Sequence, residues 1–204
     1  MANTNAPFGG RPVGHLNGSP YNGQANIYYF AASNGDAVHL GDFVKSKAAG
    51  DANGIPGVDL AAGTDTVRGI VVGILPVYPG TTMAGSALNL EQPNYISATN
   101  AAAVYVMVAD EPDLVFEIQT GATATNLVAT KLNNNFSLTI AAPDPTTNPY
   151  SATIVDNSTI NTTNTLKFKM LGLAQRPNNA IGAYQVVRAM FNSHELSGAA
   201  ATAI

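Results

Sequence analysis

The side chains best able to do acid–base or metal chemistry in this chain are three histidines, His15, His39 and His194, and thirteen carboxylates. No two histidines stand at a helical metal-ligand spacing, and the zincin pattern is absent. His39 precedes Asp42 by one short turn, a spacing at which a carboxylate can orient an imidazole. With Gly41 between them, the pair reads as a strand histidine followed by a Gly-Asp turn. His194-Glu195 reads as a polar cap after a final strand. The densest acidic stretch holds Asp110, Glu111, Asp113 and Glu117. It could supply oxygen ligands to calcium, or the two carboxylates of a glycoside hydrolase. However, the EF-hand spacing is missing, Pro112-Asp113 is ordinary turn chemistry, and Glu117 falls on the polar side of an alternating segment. There is no nucleophile elbow, phosphate loop or dinucleotide fingerprint. With no Cys, thiolate chemistry and disulfides are excluded. Tyr28, Tyr29 and Phe30 could stack on a sugar, yet aromatics on a first strand are expected in the core, and the chain has no Trp. The expectation is a protein that is not an enzyme, with no catalytic residues, cofactor or metal.

The elements that would position these residues are short and β-type. Ile27 to Phe30 reads as a strand, followed by the turn Ser33-Asn34-Gly35-Asp36. Ala37 to Val44 is apolar but broken at Gly41-Asp42, giving two short strands or a bulged one. Residues 48–65, rich in Gly, Asp and Ala, read as a loop. Val67 to Leu75 is a strong β segment in which Gly69 and Gly73 predict a bulge or close backbone packing. Residues 76–102 read as a long irregular region. Val104 to Ala109 is continuously apolar and predicts a central strand buried on both faces. Leu114 to Gln119 alternates cleanly, and the Asp110-Glu111-Pro112-Asp113 turn between the two segments predicts a hairpin. A short helix is expected within 122–132. Strands follow at Phe136 to Ile140, Ala152 to Val155, Leu166 to Met170 and Tyr184 to Phe191. Nine to eleven strands with almost no helix make the chain all-β, a small barrel or sandwich.

Charged residues are only 11% of the chain and the net charge is −4, against about 25% charged residues in an average domain. Nine scattered Lys and Arg with no basic run argue against nucleic-acid binding. No signal peptide or apolar run of membrane-spanning length is seen, so no membrane partner is expected. The first 26 residues carry five Gly, three Pro and five Asn with no strand or helix period. They are expected to form an extended arm (1–26) before a β-rich core (27–195) and a small-residue tail (196–204). Ordering such an arm costs on the order of 25 kcal/mol of backbone entropy, equivalent to burying roughly 1,000 Å² of apolar surface. An ordered arm must therefore lie against a large surface, its own or a partner's. Its candidate partner-binding anchors are Phe8, Arg11, Pro12 and Tyr21, aromatic and Arg residues being the usual hot spots of an interface.

Several stretches, read together, carry a family likeness. They are Ala2-Asn3-Thr4-Asn5-Ala6-Pro7-Phe8-Gly9 with Arg11-Pro12-Val13, Gly18-Ser19-Pro20-Tyr21, Gly41-Asp42-Phe43-Val44 and Val67 to Gly73. To these are added Val106 to Gln119, Leu171-Gly172-Leu173, Arg176-Pro177-Asn178-Asn179 and Phe191 to Glu195. The chain resembles the capsid cement, or head decoration, proteins of tailed bacteriophages. The likeness covers nearly everything before the tail from Leu196, and its motifs are turns and strands rather than active-site signatures. It implies a non-enzymatic virion protein on the outer capsid surface, made in the host bacterial cytoplasm. Such a protein rivets neighbouring major capsid protein subunits against internal DNA pressure. The implied partners are the major capsid protein and further copies of the chain, as trimer or dimer. The competing expectation is a tail or fibre β-domain that binds host glycan around Tyr28, Tyr29 and Tyr105.

Overall fold

Strand alternation splits the apolar residues between two surfaces, and the fold follows from where each surface goes. The computed structural model describes residues 3–75, 95–123, 127–141, 143 and 150–197. Among them the strands are β1 (Arg11–His15), β2 (Asn26–Phe30), β3 (Val38–His39), β4 (Phe43–Gly50), β5 (Pro56–Leu60), β6 (Gly69–Leu75), β7 (Tyr95–Ile96), β8 (Val104–Ala109), β9 (Leu114–Gln119), β10 (Asn135–Thr139), β11 (Ile154–Asn161), β12 (Phe168–Leu173) and β13 (Val186–Phe191). The all-β reading holds. The only helical turn among the described residues is a 3-10 turn at Ala129–Lys131, with no side-chain cap.

Five strands close a barrel in the order β2-β5-β4-β6-β8, and six form a sheet in the order β1-β9-β13-β12-β10-β11. Every pairing within the six-stranded sheet is antiparallel. The barrel closes through a parallel contact of β2 with β5, and β3 pairs with β7 beside it. Tyr28, Phe30, Val44, Val58, Val71, Val106 and Val108 form one core cluster. The next residues along the same strands, Phe43, Ile70 and Ala109, join a second cluster with Leu114, Phe116, Phe136, Phe168 and Phe191 of the sheet. One wall of the barrel therefore serves two cores, its interior and the layer between barrel and sheet.

Four expectations are corrected. Segments 104–109 and 114–119 do not pair with each other. β8 lies between β2 and β6 in the barrel, while β9 lies between β1 and β13 in the sheet. The turn at 110–113 thus hands the chain from one sheet to the other. β8 is also not buried on both faces, because Val106 and Val108 face the barrel core while Tyr105 and Met107 remain partly exposed. Residues 48–65 are not a loop. They hold the end of β4 and all of β5, paired antiparallel across a turn at Asn53-Gly54. Gly57 makes that pairing possible, since a Cβ there would lie 2.2 Å from the Ala49 carbonyl oxygen. Finally, β11 continues to Asn161, well past the strand expected to end at Val155. The irregular region expected at 76–102 falls largely outside the described residues, as do 198–204 of the tail.

The N-terminal stretch, expected as an extended arm, is woven into the fold over residues 3–26. β1 is an edge strand of the six-stranded sheet, paired with β9 from Arg11↔Glu117 to His15↔Leu114. Ahead of it, the Asn3 amide donates to the carbonyls of Ala180 and Ala183 at 2.8 Å each. The Gln119 amide donates to the Thr4 carbonyl at 2.8 Å. Order in this segment is therefore supported by the chain's own surface.

Candidate functional site

Phe8, Arg11, Pro12 and Tyr21, picked from the sequence as one set, line a single open groove of about 470 Å³. The far wall comes from Leu40, Gly41, Val71, Val72 and Tyr150. The groove exists because two backbones approach closely. The Gly10 amide donates to the Gly41 carbonyl at 2.8 Å. Gly9 and Gly41 have φ of +69° and +91°, and a Cβ on Gly41 would sit 2.4 Å from the Phe8 carbonyl oxygen. Only glycine fits that crossing. Tyr150, half-exposed, is brought in by a bridge to Leu40 and by the Ser151 amide donating to the Leu40 carbonyl at 2.9 Å. Nothing in the sequence near residues 143–150 signals this role.

Arg11 is the polar rim of the groove. Its guanidinium lies 4.8 Å over the Phe8 ring and pairs with Glu117 Oε2 at 2.6 Å. The Arg176 guanidinium contacts the same Glu117 oxygen. Phe8 and Arg11 also border a second, more polar depression with Asn3, Gln119, Arg176 and Tyr184. A stacked, ion-paired Arg beside an apolar hollow can hold a partner's aromatic or aliphatic side chain with a carboxylate or carbonyl next to it.

The four residues of the acidic stretch go three separate ways. Asp110 is buried at the end of β8, where it accepts from Asn26 Nδ2 at 2.9 Å and from the Tyr28 hydroxyl. Arg68 Nε donates to that same hydroxyl at 2.8 Å. Burial first, then donation to Asp110, pushes the Tyr28 phenol up to about 12, with Arg68 pulling the other way. Glu117 lies on the outer face of the sheet with its two arginines. Glu111 and Asp113 face His15, with Glu111 Oε2 3.0 Å and Asp113 Oδ1 3.6 Å from its Nδ1. Asp110 and Glu117 thus belong to different sheets and different networks, so they form no facing carboxylate pair.

His39 and Asp42 do meet, inside the protein. Asp42 accepts from the His39 amide at 2.7 Å, from the Ser151 hydroxyl and from the Thr153 hydroxyl at 3.3 Å. His39 stacks on Tyr95 with ring centroids 5.2 Å apart. Ser151 donates to the carboxylate rather than to the imidazole, and His39, Asp42 and Ser151 are all buried. This arrangement ties the 39–42 turn to 151–153 and presents no nucleophile. The proposed sugar platform also separates. Tyr28 points into the barrel core, while Tyr29 and Tyr105 meet edge to face at 6.0 Å on its outside.

His194 is buried, its Nδ1 accepts from the Leu196 amide at 3.1 Å, and its Nε2 has no hydrogen-bond partner among the described residues. The neighbouring Glu195 carboxylate accepts from the Ser46 amide at 2.9 Å, which ties the end of β13 to β4. Burial lowers the His194 pKa below its ordinary value of 6.5. The unfolded chain therefore binds a proton near pH 6.5 that the folded chain refuses. The His194 contribution to stability is level above that pH, falls as pH drops toward the folded pKa, and is level again below it. Urea midpoints measured at pH 7.5 and pH 5 should show this loss in the wild type, and a smaller one in His194→Gln. Equal losses in the two proteins would mean that other groups carry the acid sensitivity.

No helix among the described residues is long and apolar enough to cross a membrane. Compared with protein-family models, curated proteins and solved structures, the chain matches none.

Proposed function

We propose that this chain is a non-enzymatic structural protein of a tailed-phage virion. It binds the outer surface of the capsid and cements neighbouring major capsid protein subunits. The reading starts from the sequence resemblance. The observation that supports it is the convergence of Phe8, Arg11, Pro12 and Tyr21 on one exposed, mostly apolar groove with an arginine rim. Such a groove suits a side chain of a neighbouring subunit. Many copies, each holding two or more subunits, would stabilise a shell by mass action and multivalency without chemistry.

Deleting the N-terminal segment would remove edge strand β1 and confound folding with binding, so the test uses point substitutions. Heads lacking this protein are incubated with the purified chain, and occupancy is measured against concentration. Phe8→Ala and Tyr21→Ala are each expected to weaken binding roughly 30-fold, the equivalent of a hot-spot cost of about 2 kcal/mol. Heads decorated with the wild type should survive heating that bursts undecorated heads. Failure of the wild type to bind heads at all would overturn the reading. Unchanged binding by both variants would move the contact elsewhere on the surface.

A further inference from the structure

His15, Glu111 and Asp113 are a cluster that the groove does not use. We propose that they form a binding site for a first-row divalent cation, Zn²⁺ above the others, which clamps edge strand β1 to the chain crossing between barrel and sheet. This departs from the absence of a metal expected on sequence.

The ligand atoms of the three residues lie within 4.8 Å of one another. Nδ1 of His15 is 3.0 Å from Glu111 Oε2 and 3.6 Å from Asp113 Oδ1. Metal–ligand bonds of about 2.0–2.2 Å in tetrahedral or octahedral geometry place adjacent ligands roughly 3.0–3.4 Å apart. The His15–Glu111 spacing is therefore that of adjacent ligands, and Asp113 stands a few tenths of an ångström beyond it.

The imidazole is what separates this cluster from surface acids. Its side chain is only 7% exposed and its Nδ1 is aimed at the two carboxylates. A nearly buried imidazole whose Nδ1 stands within 3.6 Å of both carboxylates is in the position of a ligand sharing a cation with them.

Both ligand segments are fixed by backbone. His15 pairs with Leu114 in the sheet, its amide donates to the Ser19 carbonyl at 2.9 Å, and the Leu16 amide donates to the Asp113 carbonyl at 3.0 Å. Binding would need little rearrangement. Glu111 and Asp113 are 41% and 49% exposed, so water can complete the shell. One imidazole nitrogen with two carboxylates favours Zn²⁺ or a neighbouring transition metal over Ca²⁺ or Mg²⁺, which take oxygen ligands.

The full chain, stripped with chelator and dialysed, is titrated with ZnCl₂ by calorimetry, and its Tm is followed with and without the ion. The expected result is saturation at one ion per chain and a Tm that rises with Zn²⁺. Changing even an outer-shell partner of a metal site costs about 10–100-fold in affinity, so the double variant Glu111→Gln, Asp113→Asn should lose at least tenfold. Both positions are half-exposed, and circular dichroism would confirm that the double variant folds even if His15→Gln does not. Absence of saturable binding by the wild type would overturn the site. So would undiminished binding by the double variant, which would place the ion at another histidine.

Discussion

Replacing Phe168 with alanine is expected to cost about 3–5 kcal/mol of folding stability, the usual range for emptying a fully buried aromatic site. Phe168 has no solvent exposure, and its ring sits at the centre of the layer between sheet and barrel. It meets Phe43 of the barrel at 5.3 Å, Phe136 at 5.6 Å, and Phe116 and Phe191 at 6.2 Å each. Edge-to-face pairs add to the cost of lost apolar burial. Collapse around the void is limited because the ring's neighbours come from four different strands, each held in register. Leu171 on the same strand is 39% exposed, so Leu171→Ala should stay within about 0.5 kcal/mol of wild type. Urea unfolding of the three proteins measures both. A loss below about 1 kcal/mol at Phe168 would show that barrel and sheet do not depend on their shared core.

That core was legible residue by residue, though its partition was not. Phe116 and Ile118 alternate with Glu117, and Phe168 and Met170 with Lys169, so the buried face of each strand could be read directly. What alternation does not encode is which strand lies alongside. Val104 to Gln119 reads as a hairpin because the turn residues Asp110, Pro112 and Asp113 suit a crossing between sheets as well as a reversal within one. Strand β5 was hidden for a different reason. Pro56-Gly57-Val58-Asp59-Leu60 has loop composition, and its Gly57 is there to admit a neighbouring backbone, a tertiary demand with no local signature.

The same limit governs the sites. Phe8, Arg11, Pro12 and Tyr21 could be grouped because they are close in sequence and stand out from a polar segment. Tyr150, Leu40 and Val72 complete their groove from distant positions and could not. His15 carried no metal-ligand spacing, since its two carboxylate neighbours lie about a hundred positions away in the chain. They meet it only because β1 pairs with β9. Each of these surfaces is built where barrel, sheet edge and N-terminal segment adjoin, and the buried polar networks hold that junction in place.

Asp110→Ala tests the junction directly and is expected to cost about 3 kcal/mol. Removing one partner of a buried charge pair typically costs about 3–5 kcal/mol, because the other partner is left without compensation. Here the abandoned groups are the Tyr28 hydroxyl, inside the barrel wall, the Asn26 side-chain amide, and the Arg68 guanidinium, whose Nε lies 3.8 Å from Asp110 Oδ2 and whose side chain keeps 22% exposure. That access to water puts the cost at the lower end. Tyr28→Phe removes two hydrogen bonds, the one to Asp110 and the one from Arg68, while Asp110 keeps Asn26, so it should cost about 1.5–3 kcal/mol. In a double-mutant cycle, Asp110→Ala combined with Arg68→Met should destabilise by less than the two single changes added together, with a coupling of about 1 kcal/mol or more. Strict additivity would mean that the carboxylate and the guanidinium act independently. Asp110 sits where β8 ends and the chain leaves the barrel for β9, one residue before Glu111. If its network is what aims that crossing, Asp110→Ala should also weaken contacts made by Glu111 and Asp113 with His15, although its carboxylate pairs with Asn26, Tyr28 and Arg68 rather than with any of those side chains.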